Sequence, residues 1–232
     1  MACSSAPAVT PTTADFDLAA DLTNPDSFYA MPQPADLRLR ADGTPDLRGF
    51  PNNLGETIVE GLRTTAMQRV GFPQMPVAYF HFSAALAPEN PTTVIPADAS
   101  QALLLVDVDP TSPERGRLFP VVAGTPAADR YLLDGTLEVA PRVGVVLHES
   151  RTYAFVVTTA LRDAAGASVA APDAFRALES DAPPAADPQL SAWKLYQPLW
   201  TALAQIGVAR SDVAIATVFT TGDVVKDTAD LS

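Results

Sequence analysis

Short segments of apolar residues, separated by Pro, Gly and Asp, dominate the middle and the end of the chain. Tyr153, Phe155 and Val157 alternate with smaller or polar neighbours, which is the pattern of a half-buried strand. From Met75 onwards both faces of the segment are largely apolar, so this strand is predicted to lie centrally in a sheet. The spacing predicts a mainly-β sandwich with strands at 75–82, 102–108, 119–122, 136–139, 143–147, 153–159 and 214–220.

One segment near the C-terminus has a helical period instead. Asp187 suits an N-cap and Pro188 a first helical position, and Gly207 supplies the stop. The spacing predicts an amphipathic helix over about 188–206, bent at Pro198, with a stripe of Leu190, Trp193, Tyr196, Trp200 and Leu203. Core packing is the favoured interpretation of the two tryptophans, and a sugar-stacking platform is the alternative.

The N-terminal part of the chain lacks a clear period. Residues 1–13 are small or rich in Pro and Thr, and such a tract buries too little apolar surface to offset its ordering entropy. We therefore predict a flexible tether over residues 1–27. Residues 14–55 are rich in Pro, Asp and Gly and are predicted to form an irregular lead-in wrapped on the sandwich.

Composition and charge narrow the classes of function. Hydrophobic residues make up 47% of the 232 residues but never run for eighteen without interruption, so no transmembrane helix is predicted. The net charge of −12 opposes binding to nucleic acid, whose affinity for proteins depends on clustered Lys and Arg. A chain of this length can build a substantial core as one large β domain or two small ones.

Candidate catalytic residues are few. A Ser-His-Asp hydrolase needs a base, and the histidines are His81 and His148. His81 lies between two phenylalanines, which favours a structural role. His148 is the better candidate because it precedes Glu149 and Ser150, yet a structural role is favoured here too. The two histidines and Cys3 are too scattered to predict zinc binding, and no cofactor is expected.

Calcium is the remaining metal to consider, because it takes oxygen ligands. Asp107 and Asp109 flank one valine at a strand end, and Asp42 and Asp46 flank a Gly-Thr-Pro loop. Neither pair has the spacing of an EF-hand. Acidic turns are common in an acidic protein, so structural turns are the favoured interpretation and calcium binding is the alternative.

Several segments resemble a known family in their order along the chain. They are Phe50–Asn53, Glu60–Ala66, Phe80–Pro88, Thr152–Thr158, Leu161–Gly166 and Ala216–Thr221. Residues 28–225 are thereby similar to bacterial immunoglobulin-like domains of the S-layer type, and more closely to the N-terminal domain of bacterial virulence-factor lipases and related surface lipoproteins. The departures are Gln68–Gln74, which resembles an insertion, and the Pro-rich segment 182–188.

This resemblance implies an immunoglobulin-like sandwich carried ahead of a larger partner, often an α/β-hydrolase. The chain lacks the hydrolase nucleophile motif, and residues 226–232 are expected to begin a linker to that downstream domain. Ala-Cys-Ser-Ser around Cys3 resembles the start of a mature bacterial lipoprotein, which implies lipidation of Cys3 and export to the cell surface, outer membrane or periplasm. The expected function is a non-catalytic accessory or spacer domain. A carbohydrate- or polymer-binding module, or an esterase, is the alternative.

Overall fold

Two antiparallel sheets form the centre of the computed structural model, which describes residues 10–224. The first sheet has the strand order β1-β5-β4 and the second β3-β2-β6-β7. One hydrophobic core contains residues of both sheets, as a β-sandwich requires. The predicted mainly-β fold is thus confirmed. The strands are β1 (Ala78–His81), β2 (Leu103–Asp107), β3 (Leu118–Phe119), β4 (Val121–Gly124), β5 (Thr136–Pro141), β6 (Thr152–Thr158) and β7 (Val213–Thr220).

Helices surround the sheets. The α-helices are α1 (Thr57–Ala66), α2 (Asp173–Arg176) and α3 (Gln189–Gln205), and short 3-10 helices cover Pro25–Ala30, Asp36–Arg38, Ala177–Glu179 and Arg210–Asp212. α3 lies against β7, where the Tyr196 hydroxyl donates to the carbonyl of Ala216 at 2.9 Å. The aromatic rings of Phe16, Phe175 and Trp200 pack around Tyr196.

The second sheet is more deeply buried than its sequence pattern predicted. β6 lies between β2 and β7, and its residues from Tyr153 to Thr158 are buried on both faces. Ala154 and Val156, which the pattern assigned to the solvent side, are buried as well. The prediction of a half-buried strand was wrong because other elements, α3 among them, cover the outer face of this sheet.

β1 was predicted to be central, and it is an edge strand of the first sheet. Its burial alternates, with Ala78 and Phe80 inside and Tyr79 and His81 half-buried. The free edge is covered by irregular N-terminal chain, because Tyr79 exchanges backbone hydrogen bonds with Gln33 at 2.8 and 3.1 Å. Covering an edge in this way prevents it from pairing with another chain.

Two further strand predictions fail for local reasons. The predicted strand 119–122 is two strands in different sheets, because the chain leaves β3 and enters β4 across Pro120, which has no N–H to donate. Residues 143–147 form no strand. Gly144 has a φ of 95° in a turn there, and Val143 is 91% exposed. Of the alternating apolar residues, Leu147 is buried and Val145 packs against the core, but they do so from irregular chain after the turn and not from a strand.

Residues 12–16, which the tether prediction assigned to a flexible segment, instead pack into the core. Thr12 donates through its hydroxyl to Asp163 at 2.9 Å, and the N–H of Asp15 donates to the carbonyl of His81 at 2.8 Å. Ala14 and Phe16 are buried. The predictions about Cys3 and about residues 226–232 concern positions outside the described residues.

Candidate functional site

An apolar groove of about 730 Å³ opens between α1 and the first sheet. Its walls come from distant parts of the chain: the 3-10 helix Pro25–Ala30, the end of α1, the segment 69–77, and single residues such as Val146 and Gly222. Ligand pockets in proteins usually measure about 300–1,000 Å³, so the groove has the size of a small-molecule site. We call it the α1 groove.

α1 carries an apolar stripe that the protein leaves uncovered. Ile58 and Leu62 lie one turn apart on the helix, and Leu54 lies in the turn before it; they are 72%, 67% and 65% exposed. None of the residues of α1 is buried. The helix begins at Thr57, and the preceding residue Glu56 is held by Asn52. The Asn52 side chain accepts from the N–H of Glu56 at 2.9 Å and donates to its carbonyl at 3.1 Å. An exposed apolar stripe of this kind is typical of a binding surface.

More exposed apolar side chains continue from α1 along the groove. Val70, Met75, Val77 and Val146 line it and are exposed although all are large and apolar. Leu62 joins them from the end of the helix. Contiguous exposure of this kind is uncommon on a monomeric protein, whereas singly scattered apolar residues are ordinary.

Two glycines fix one wall of the groove against the end of β7. The N–H of Phe72 donates to the carbonyl of Thr220 at 2.8 Å, and the N–H of Gly222 donates back to the carbonyl of Phe72 at 2.8 Å. A Cβ on Gly71, whose φ is +73°, would lie 2.7 Å from the nitrogen of Gly222, and a Cβ on Gly222 would clash with the carbonyl of Val70. Only glycine allows the two backbones to approach this closely.

Polar side chains form the smaller part of the lining, and each of them can donate a hydrogen bond. Among the described residues, Arg69 is the only charged side chain that lines the groove, and it is exposed and forms no ion pair there. The phenol groups of Tyr29 and Tyr79 also belong to the lining, and burial raises the pKa of both. Both tyrosines therefore stay neutral at physiological pH and can donate.

A buried arginine supports the wall formed by the first 3-10 helix. Arg38 donates to the carbonyls of Phe28 and Met31, at 2.7 Å for the latter, and its guanidinium lies 4.5 Å from the centre of the Phe28 ring. The Gln33 amide, oriented to satisfy both groups, accepts from Nε and Nη1 at 2.8 and 2.9 Å. Burial lowers the pKa of Arg38 to about 9. Its donors hold the wall in place rather than facing the groove.

The structure places His148 in an exposed cluster of charges that is close to the groove but not part of its lining. The neighbouring N–H of Leu147 donates to the carbonyl of the lining residue Gln74 at 3.0 Å. The His148 Nε2 lies 3.4 Å from Glu114, whose carboxylate also pairs with Arg151 at 3.0 Å and with Arg117. Ser150 has a φ of 50° and donates its N–H to Thr221 at 3.1 Å. Within residues 10–224 no hydrogen bond joins the Ser150 hydroxyl to a histidine, and Glu149 is exposed.

His81 ties the N-terminal segment to β1. Its Nδ1 lies 2.7 Å from the carboxylate of Asp15, and its Nε2 lies 3.0 Å from the carbonyl of Asp134. Both ring nitrogens are thus engaged by neighbouring chain, which is the structural role that its flanking phenylalanines favoured.

The two aspartate pairs close turns. Asp107 accepts from the N–H of Asp109 at 3.0 Å and from the hydroxyl of Ser112 at 2.6 Å. Asp42 accepts from Thr44, and Asp46 pairs with Arg48. In the part of the chain that the structure describes, no group of three His, Cys, Asp or Glu residues is placed to hold a metal ion.

The tryptophan stripe of α3 faces inwards. Trp200 is buried, and its indole N–H donates to the carbonyl of Leu178 at 3.0 Å. Trp193 is half-buried and donates to the carbonyl of Ser180 at 2.7 Å. Both indoles are held by the chain that precedes α3, so packing is their role.

The sequence predictions did not include the α1 groove. The four-residue spacing of Leu54, Ile58 and Leu62 was the signal that could have indicated α1. Met75 and Val77 were interpreted as the start of a buried strand, and both are exposed along the groove.

No protein-family model matches this chain, and a search of curated proteins finds no significant match. None of the helices between residues 10 and 224 has the length and apolar character that crossing a bilayer requires.

Proposed function

We propose that this chain is an immunoglobulin-like accessory domain of an exported bacterial lipoprotein, and that its α1 groove is the site at which it binds an apolar ligand. The observation that carries the binding role is the groove itself, an apolar site of about 730 Å³ beside an uncovered apolar stripe. Sites of this size and lining are the usual form of a small-molecule pocket.

The accessory role is supported by the structural contacts that the candidate catalytic groups make. His81 holds Asp15 and the carbonyl of Asp134, and His148 belongs to the exposed ion cluster around Glu114. The groove is lined mainly by apolar residues, and its polar groups are neutral ones and a single arginine. A lining whose described residues include no carboxylate or histidine favours holding a ligand over transferring a proton. The proposal also includes a lipid anchor on Cys3 and a downstream hydrolase-like domain. Both are inferred from the family resemblance.

The alternative functions have weaker support. A carbohydrate-binding module would use exposed aromatic rings, and Trp200 is buried while Trp193 is held against Ser180. An esterase would need a base beside its nucleophile, and the exposed His148 ring pairs instead with Glu114 at 3.4 Å.

A neutral apolar dye tests the binding role. Nile red should gain fluorescence with the 232-residue chain, and Met75→Glu should weaken that binding at least tenfold, because it places a charge in the lining. Val143→Glu is the matched control, since Val143 is equally apolar and fully exposed but lies outside the groove. Equal dye binding by both variants would refute the binding role.

A chromogenic-ester assay tests the accessory role separately. The chain should hydrolyse p-nitrophenyl esters no faster than a His148→Ala variant does. Turnover well above the buffer rate that disappears in His148→Ala would establish an esterase instead, and it would leave the outcome of the dye experiment unchanged.

A further inference from the structure

The α1 groove combines an apolar lining with a single cation. Its side chains are mostly Leu, Val, Met, Pro and Phe, and Arg69 is the only charged residue among the described ones that line it. The groove thus carries a positive charge, although the chain as a whole is acidic, with 27 acidic and 15 basic residues. Arg69 forms no ion pair with a carboxylate of residues 10–224.

From this arrangement we infer that the α1 groove binds a long-chain fatty acid, with the carboxylate held by Arg69 and the alkyl chain along the apolar lining. The inference rests on the proposed function, because it names the chemical class of the apolar ligand. It adds a role for Arg69 that neither the fold nor the groove volume implies.

Arg69 and the carboxylate of a fatty acid match in charge and in hydrogen-bond geometry. A guanidinium presents two parallel N–H groups to a carboxylate, and the pair is stronger than a hydrogen bond between neutral groups. One cation balances one monoanion, whereas a phosphate carries up to two charges and is usually held by more than one basic residue. The exposed Val70, Met75 and Val77 offer the unbranched chain an apolar contact surface, in which the flexible Met75 side chain can adapt to the ligand.

A second copy of the chain fits the same groove less well. Two copies joined face to face through this surface would bury both Arg69 side chains, and the described lining offers no carboxylate to balance them. Burying an unpaired charge is strongly unfavourable. A fatty acid brings its own counter-charge, so it covers the apolar surface and balances Arg69 at once.

Competition with Nile red tests the inference. Laurate and 1-dodecanol have the same chain length and differ in the charge of the head group, so each displaces the dye through the same tail. Laurate should displace Nile red from the wild type, and its affinity should fall about tenfold in Arg69→Gln, as expected for loss of a charge-assisted pair. The affinity of 1-dodecanol should be the same in both proteins.

A matched variant and a chain-length series complete the experiment. Arg142 is also exposed but lies outside the groove, so Arg142→Gln should bind laurate as the wild type does. Affinity should rise from octanoate to decanoate to laurate by up to about fourfold for each methylene, if each added group is buried.

The possible failures are distinguishable. If Met75→Glu abolishes Nile red binding but laurate displaces the dye equally from wild type and Arg69→Gln, the groove binds apolar ligands and the fatty-acid assignment is wrong. The assignment is also wrong if 1-dodecanol loses affinity as much as laurate does, or if sedimentation shows that the dye site exists only in a dimer. If Met75→Glu leaves Nile red binding intact, the proposed function itself fails.

Discussion

Asp36 accepts two hydrogen bonds from Thr220, one from its backbone N–H at 2.8 Å and one from its hydroxyl at 2.6 Å. This pair fastens the second 3-10 helix to the end of β7. Burial raises the pKa of Asp36 above its ordinary value, although the bonds from Thr220 oppose the rise. Removal from water therefore has a larger effect on the pKa of this carboxylate than the two hydrogen bonds do.

The raised pKa of Asp36 predicts a measurable dependence of stability on pH. Because the folded pKa exceeds the unfolded value of about 3.9, the folded state binds more protons between the two values, so stability falls as pH rises through that window. Asp36→Asn removes this ionisation and keeps an acceptor for Thr220. We expect the unfolding free energy of Asp36→Asn, relative to wild type, to increase from pH 4 upwards in urea titrations.

Asp42→Asn provides a control of opposite sign. Hydrogen bonds from Thr44 lower the pKa of Asp42, so its contribution to stability is present above the unfolded pKa and is lost as pH falls through the folded pKa. The stability of Asp42→Asn relative to wild type should therefore decrease as pH rises. Parallel slopes for the two variants would contradict the assignment for Asp36.

Gly222→Ala should destabilise the protein and disturb the α1 groove together. The added Cβ would clash with the carbonyl of Val70. Because this carbonyl belongs to the backbone, the clash can be relieved only if the groove wall moves. We expect a loss of about 1–3 kcal/mol of unfolding free energy, as is typical of overpacking, and weaker Nile red binding. Thermal and urea unfolding followed by circular dichroism would measure the first effect.

The control for this substitution is Gly61→Ala. Gly61 lies within α1, and a Cβ there meets nothing within 4 Å. Alanine has the higher helix propensity, so Gly61→Ala should stabilise the protein by about 0.5–1 kcal/mol and leave dye binding intact. A neutral Gly222→Ala would mean that segment 70–72 is not packed on β7 as described.

Truncation of the tryptophans tests how α3 packs. Trp200→Ala should cost about 3–5 kcal/mol, because it empties a buried site and leaves the carbonyl of Leu178 without its donor. Trp193→Ala should cost about 1–2 kcal/mol, since that ring is half-buried. Similar small losses in both would place the Trp200 ring at the surface and would restore the case for a polysaccharide-binding stripe.

Lipidation of Cys3 predicts where the protein resides. If an upstream signal peptide is supplied in a bacterial host, the wild type should enter the membrane fraction and Cys3→Ala should remain in the soluble exported fraction. Stable anchoring needs more than one acyl chain, which a triacylated N-terminal cysteine would provide. Identical soluble fractionation of both proteins would reject the lipoprotein assignment.

The strands were easier to predict from sequence than their environment. β2 and β7 occupy the segments that their continuous apolar runs indicated, because such runs are typical of strands buried on both faces. β1 was misplaced because an apolar segment does not specify its neighbours, and here Gln33 rather than another strand covers its edge. A turn at Val143 has the same alternation as a strand but no sheet to bury it.

The α1 groove could not be predicted from the sequence, for a different reason. Tyr29, Leu62, Tyr79 and Val146 meet there only because the folded chain brings distant segments together. The apolar spacing of Ile58 and Leu62 can indicate a helix, but it does not indicate that the fold leaves the apolar face of this helix uncovered. Nothing in the sequence distinguishes Arg69 from the other basic residues, because its apolar surroundings come from the fold.

The passage of the chain through Pro120 has a consequence for how the protein unfolds. Phe119 pairs with β2 in one sheet, and Val121 pairs with β5 in the other, so a single residue connects the two sheets. At this point the two sheets cannot move far apart unless Phe119 leaves β2 or Val121 leaves β5. The two layers should therefore lose amide protection in one cooperative event, with the hydrogens of β4 and β6 exchanging at a common free energy.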